Sequence, residues 1–239
     1  MCGLTNSEIG GGSGDNERLS ETEAVYEQRY QELSKDLREL VARYERSHNG
    51  ALDHLLKYFV SPHLPTTTQE VRELSLLIDT SQDERPIQSY LESHPHILTR
   101  KLQPGHHGQF CIPKPRLGSD LIPDFLVAEV DSAGIWWFGV ELESPQERMF
   151  KRDGDPTSTL SHALRQVEDW RHWLSSNITY ARDQLLLTDV VADLPCIVLI
   201  GTREKEVLQP ALLARRQGDV RRRDKAGLIL HHYEWLLEV

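Results

Sequence analysis

The sequence predicts an α/β fold, a mixed β-sheet flanked by helices, and three observations carry that reading. Short β-rich apolar runs recur over residues 105–112, 121–130, 135–142, 196–201 and 227–232. Stretches with helical spacing separate them, over 83–98, 158–177 and 208–217. The run at 196–201 is apolar throughout, the pattern of a strand buried on both faces. The expected core order is therefore α-β-β-β-α-β-α-β.

Ahead of that core the chain changes character. Residues 1–20 are polar and contain Gly-Gly-Gly-Ser-Gly, so a flexible leader is expected there. From 21 to 48, Tyr26, Tyr30, Leu33, Leu37, Leu40 and Tyr44 alternate at spacings of four and three. That heptad seam suits a coiled-coil contact or a long helix packed on the body. A homo-oligomer joined through these N-terminal helices is one expectation. A second helix is expected over 51–60, with Leu52, Leu55, Leu56 and Phe59 on one face. Residues 61–68 hold Pro62, Pro65 and three threonines and read as a linker. The domain boundary is placed there, with an N-terminal helical segment over 21–66 and the main domain over 67–239.

Within the main domain, 69–78 reads as a short helix or strand. The helix at 83–98 starts at Asp83, carries Ile87, Tyr90 and Leu91 on one face and meets Pro95 near its end. The runs at 121–130 and 135–142 flank Asp131-Ser132-Ala133-Gly134 and form a β-hairpin. Over 158–177, Leu160, Ala163, Leu164, Val167, Arg171 and Leu174 fall on one helical stripe. A last strand at 227–232 leads into a short helix around Trp235 and Leu236.

Composition bounds the function. Hydrophobic residues make up 38% and charged residues 27%, which suits a globular protein with a real core. No apolar run approaches the roughly 20 residues that span a bilayer. No basic segment followed by an apolar one heads the chain, so neither a signal peptide nor a membrane partner is expected. Cys2, Cys111 and Cys196 are far apart and odd in number, which indicates no disulfide framework and a reduced, cytoplasmic setting. The net charge of -10 argues against a generally basic nucleic-acid binder. Locally, however, Arg203, Lys205, Arg215, Arg216, Arg221, Arg222, Arg223 and Lys225 outnumber Glu204, Glu206, Asp219 and Asp224. That excess reads either as a phosphate-contacting surface or as a solvated helix end.

The chemistry-bearing stretch is Ile122-Pro123-Asp124-Phe125 followed by Val140-Glu141-Leu142-Glu143. Side chains alternate faces along a strand, so Glu141 and Glu143 share one. Pairing across the 131–134 turn sets Asp124 opposite Glu141. Three converging carboxylates would repel unless a cation sat among them, and a hard divalent ion bound by oxygens resolves this. The alternative is a hairpin whose acids are surface residues. His94, His96, His106, His107, His231 and His232 form no zinc-ligand set. Dinucleotide, P-loop and serine-hydrolase motifs are missing.

IPDF and then VELE resemble the signature of PD-(D/E)xK nucleases. Four further segments resemble the Shedu anti-phage defence nucleases: DERPIQSYLESHPHIL at 83–98, GVELESPQERMFKRDGDPTSTLSHALRQVEDWRHWLSSN at 139–177, CIVLIGTREK at 196–205 and LILHHYEWLL at 228–237. The resemblance implies a restriction-endonuclease-like domain that cleaves DNA with Mg²⁺ or Mn²⁺. It implies Asp124 and Glu141 as metal ligands. Glu143 falls where the pattern has lysine, so it would bind metal or act as a base toward water, and Lys151 is a candidate migrated cation. Gln166 and Trp170 resemble the QxxxY motif of RecB-like members, with tryptophan for tyrosine. Gln166 would hold a water or phosphate and Trp170 would pack behind it. His162, one turn earlier, and Glu84, on the helix before the sheet, are minor candidates. The residues leave two other classes open: a nucleic-acid-binding module without cleavage, and a structural α/β protein.

Overall fold

The computed structural model describes residues 53–62, 64–102, 108–131, 134–206, 223 and 226–238. The expected leader, the heptad helix with its oligomer contact, the helix at 208–217, and His106, His107, Arg215, Arg216, Arg221 and Arg222 lie outside the described residues.

The described elements are α1 (Asp53–Leu56), β1 (Phe59–Val60), α2 (Thr68–Thr80), α3 (Arg85–Ser93), α4 (Pro95–Thr99), β2 (Gly108–Pro113), β3 (Phe125–Asp131), β4 (Gly134–Leu142), α5 (Ser158–Asp183), β5 (Cys196–Leu199) and β6 (Leu228–His231). Single 3₁₀ turns follow β5 at Arg203–Lys205 and β6 at Tyr233–Leu237. Six strands form one sheet in the order β1-β2-β3-β4-β5-β6. Each of the first four is antiparallel to its neighbour, and β4, β5 and β6 run parallel. The molecule is thus α/β with a mixed six-stranded sheet flanked by helices.

Strand parity explains the layers. On one face Phe110, Leu126, Ala128, Trp137 and Val198 meet Leu160, Val167, Trp170 and Leu174 of α5. On the other, Cys111, Phe125, Val127, Val140, Leu142 and Leu199 meet Leu74, Ile78, Ile87, Leu91 and Tyr233. Helix α5 carries the β4-to-β5 crossover that a parallel pair requires. It packs so closely that a Cβ on Gly139 would lie 3.0 Å from Cys196 Sγ and 3.3 Å from Trp170.

Several expectations change. The predicted helix over 51–60 is one turn, α1, followed by strand β1, which pairs Phe59 with Phe110. Leu55, Leu56 and Phe59 join the main core, so the sheet takes in residues ahead of the 61–68 stretch where composition set the boundary. The stretch at 69–78 is helical, with Thr67 and Glu70 closing a capping box. The helix expected over 83–98 is two, broken at His94, because Pro95 starts α4 and disfavours helical geometry in its predecessor. Helix α5 runs on to Asp183 past a non-helical Asn177.

Candidate active site

Register brings the acids together. Phe125 pairs with Val140, so Asp124 and Glu141 are the next residues in line at the hairpin's open end. Even-numbered residues of β3 and odd-numbered residues of β4 face α5, which sets both acids on that face. On the far side of β3, Pro113 pairs with Phe125, and the Lys114 amide donates to the Asp124 carbonyl at 2.9 Å. Lys114, Asp124 and Glu141 therefore form a row across three neighbouring strands.

Asp124 is 6% exposed and fully engaged. Its Oδ1 accepts from Lys114 Nζ at 2.5 Å and its Oδ2 from the Leu142 amide at 2.7 Å. Lys114 adopts a φ of 47°, a left-handed conformation costing about 1–2 kcal/mol for a side-chain-bearing residue. That conformation is held where the lysine meets a buried carboxylate. No motif in the sequence marks a lysine at this position. The signal available was Lys114-Pro115-Arg116 following directly on the β-rich run that pairs with the Asp124 strand.

Glu141 is also 6% exposed, and its Oε2 is buried with no hydrogen-bond partner. Burial, then Asp124, then Glu143 push its carboxyl well above the usual carboxylate range, while Lys114 and a hydrogen bond from Gln166 pull it down. Gln166 on α5, the partner in that hydrogen bond, carries a second buried, unpartnered oxygen, Oε1. Trp170 is buried one turn on and packs against Gly139.

Glu143 lies one residue past β4. Its amide donates to Leu199 O at 2.8 Å, and Tyr233 Oη donates to its carbonyl at 2.7 Å, so its backbone is fixed from two sides. Burial, then Glu84, Asp124 and Glu147 raise its carboxyl to about 7. Glu84 is close because the exit of β4 is tied to the α2–α3 connection. Ser144 Oγ donates to Gln82 O at 2.9 Å and Gln146 Nε2 donates to Ser81 O at 2.7 Å. Gly201 belongs to the same junction, with a φ of 65° and room for no Cβ, which would lie 2.2 Å from Glu147 O.

Other candidates fall elsewhere. Lys151 sits exposed on a loop turn closed by Asp155, and the cation acting on Glu141 is Lys114 instead. His162 is exposed beside Arg165, 3.4 Å away. Arg203 pairs with Glu238, and Lys205 bonds Gln146. Arg223 is half-buried. His94 bonds Tyr90 O, His232 bonds Ile200 O, and His231 stacks on Trp235.

Among the described residues, no three His, Cys, Asp or Glu side chains are drawn together as a ready cage for a metal ion. The donor set nevertheless suits a hard cation. It is all oxygen and two of the oxygens are buried without partners, while Lys114 occupies one oxygen of Asp124. Asp124, Glu141 and Gln166 are the residues that could hold such an ion, with Glu143 at the rim.

No curated protein matches the chain in sequence. The family model described as Shedu protein SduA, C-terminal, matches residues 81–229, a span that contains Lys114, Asp124, Glu141, Glu143 and Gln166. That match covers more than half of the chain, and with it the whole acidic row and the helix above it: this chain belongs to the Shedu SduA C-terminal family.

Proposed function

We propose that this chain is a divalent-metal-dependent endonuclease that cleaves DNA phosphodiester bonds, in keeping with the defence-related role that its family membership suggests. The observation that carries the reading is the row Lys114, Asp124, Glu141, with the buried Glu141 Oε2 left without a partner under Gln166. A buried orphan acceptor is costly, and a bound divalent cation would satisfy it. A restriction-endonuclease-like arrangement, with acids on adjacent strands at one end of a mixed sheet, accommodates these positions.

A bound Mg²⁺ or Mn²⁺ would supply Lewis acidity toward a phosphate oxygen. The chain's own groups do the rest. Asp124 and Glu141 would hold the ion, Gln166 would orient a water, and Glu143 would accept a proton from that water. Lys114 offers positive charge to the phosphate, the role that Glu143 cannot fill in place of the motif lysine.

Plasmid nicking in Mn²⁺ tests this. Wild type should cut, and Asp124→Asn, Glu141→Gln and Lys114→Met should each lower the rate by about a hundredfold or more. Circular dichroism would confirm that the variants are folded. Equal cutting by wild type and Glu141→Gln would sink the reading. One observation favours a second role, DNA binding without cleavage: both Asp124 oxygens are already satisfied by the protein. Retention of DNA by wild type with no nicking in either metal would select it.

A further inference from the structure

We infer that the groove beside Lys114 receives one unpaired nucleotide of the strand being cut. The inference rests on the nuclease reading above and specifies the form of DNA that the site takes.

The groove has a volume of about 460 Å³ and lies between the α1–β1 segment, the end of β2 and the C-terminal end of α5. That is the size range of small-molecule clefts, large enough for a nucleotide and far too small for a duplex. Its walls are of two kinds. His54 and Tyr58 contribute an edge-to-face aromatic pair, with ring centroids 5.9 Å apart, and Leu185 and Leu187 add apolar lining. Lys114 and Arg116, both exposed, also line it. Among the described residues Arg116 is paired with no acid, whereas Arg203 pairs with Glu238 and Arg85 with Asp83. An apolar, aromatic slot edged by cations suits a nucleobase with its phosphate, because every base has a face to stack and every nucleotide a charge to neutralise.

Continuity with the acids fixes the register. Lys114 lines the groove and also donates to Asp124 Oδ1. A base in the slot therefore puts its phosphate at Lys114, next to Asp124 and Glu141. A paired base cannot enter without leaving its stack, so a nucleotide that is already unpaired docks at the lowest cost. The backbone agrees with a ligand-shaped wall. Lys114 and Leu186, at φ of 47° and 58°, both line this groove, and such strain collects where a chain is shaped around a ligand.

The test uses the full chain in EDTA, so that nothing is cut. Two duplexes of the same sequence are compared by fluorescence anisotropy, one blunt and one with a short thymine tail carrying 2-aminopurine. The tailed duplex should bind about tenfold tighter, with the probe's fluorescence quenched as it stacks. Arg116→Glu removes the exposed cation, and Gln184→Trp fills the groove from an exposed position. Each should bring the tailed-to-blunt ratio close to one. Equal affinity of wild type for both duplexes would overturn the inference, as would a ratio that survives both substitutions. So would displacement of the tail by micromolar thymidine monophosphate, which would mark a free-nucleotide site. Nicking in Mn²⁺ is run in parallel. Tail preference without cutting sinks the nuclease reading alone, and cutting without tail preference sinks the groove alone.

Discussion

The carboxyl of Glu143, raised to about 7, gives up its proton within the physiological range. Its folded value lies above the ordinary 4.5, so its stabilising contribution is complete below that value and is lost as pH rises through about 7. The melting temperature of metal-free protein is expected to fall over that window, and Glu143→Gln should flatten the fall. At alkaline pH the substitution should stabilise by about 1–2 kcal/mol once solvent screening of this half-buried group is allowed for. Scanning calorimetry in EDTA across the pH range checks both, and a slope unchanged by the substitution would oppose the account. A divalent ion that binds the ionised acids should raise the melting temperature more at alkaline than at acidic pH. Lys114→Met should cost about 1–3 kcal/mol, because it leaves Asp124 buried and uncompensated. Chemical denaturation would measure that, and pairing it with Asp124→Asn should give a loss smaller than the sum. The sequence made the pairing of Asp124 with Glu141 legible because strand parity and a short turn fix who faces whom, but the expected convergence of Glu143 with both is not met: among the described residues no three acids gather. It hid Lys114, which follows a strand in a left-handed conformation that no periodicity announces.

At the scale of the element, β4 is the strand everything else is measured from. Gly139 is its point of closest approach to α5, so Gly139→Ala must push Trp170, Cys196 or Leu194 aside and should cost about 1–3 kcal/mol. Gly201→Ala should cost more, since the obstacle is a backbone carbonyl and the φ is positive as well. Urea titration of the two variants orders them, and a milder effect at Gly201 would contradict the packing described. The β3–β4 hairpin and α5 were legible because both are long and strongly patterned. Strand β1 was not, because two residues cannot display a period and the apolar spacing just before them is that of a helix. The break at His94 was half-legible: Pro95 was noted as an end, but a new helix begins on it.

For the whole molecule, the sheet changes character at β4, antiparallel on one side and parallel on the other. The α/β class was legible from the alternation of elements, and the order of strands was not, since nothing local says which edge β5 joins. The two kinds of pairing supply different parts of the site. The local hairpin presents the acids, and the long crossover through α5 brings Gln166 above them. A chain emerging from the ribosome therefore exposes its carboxylates well before it can roof them over.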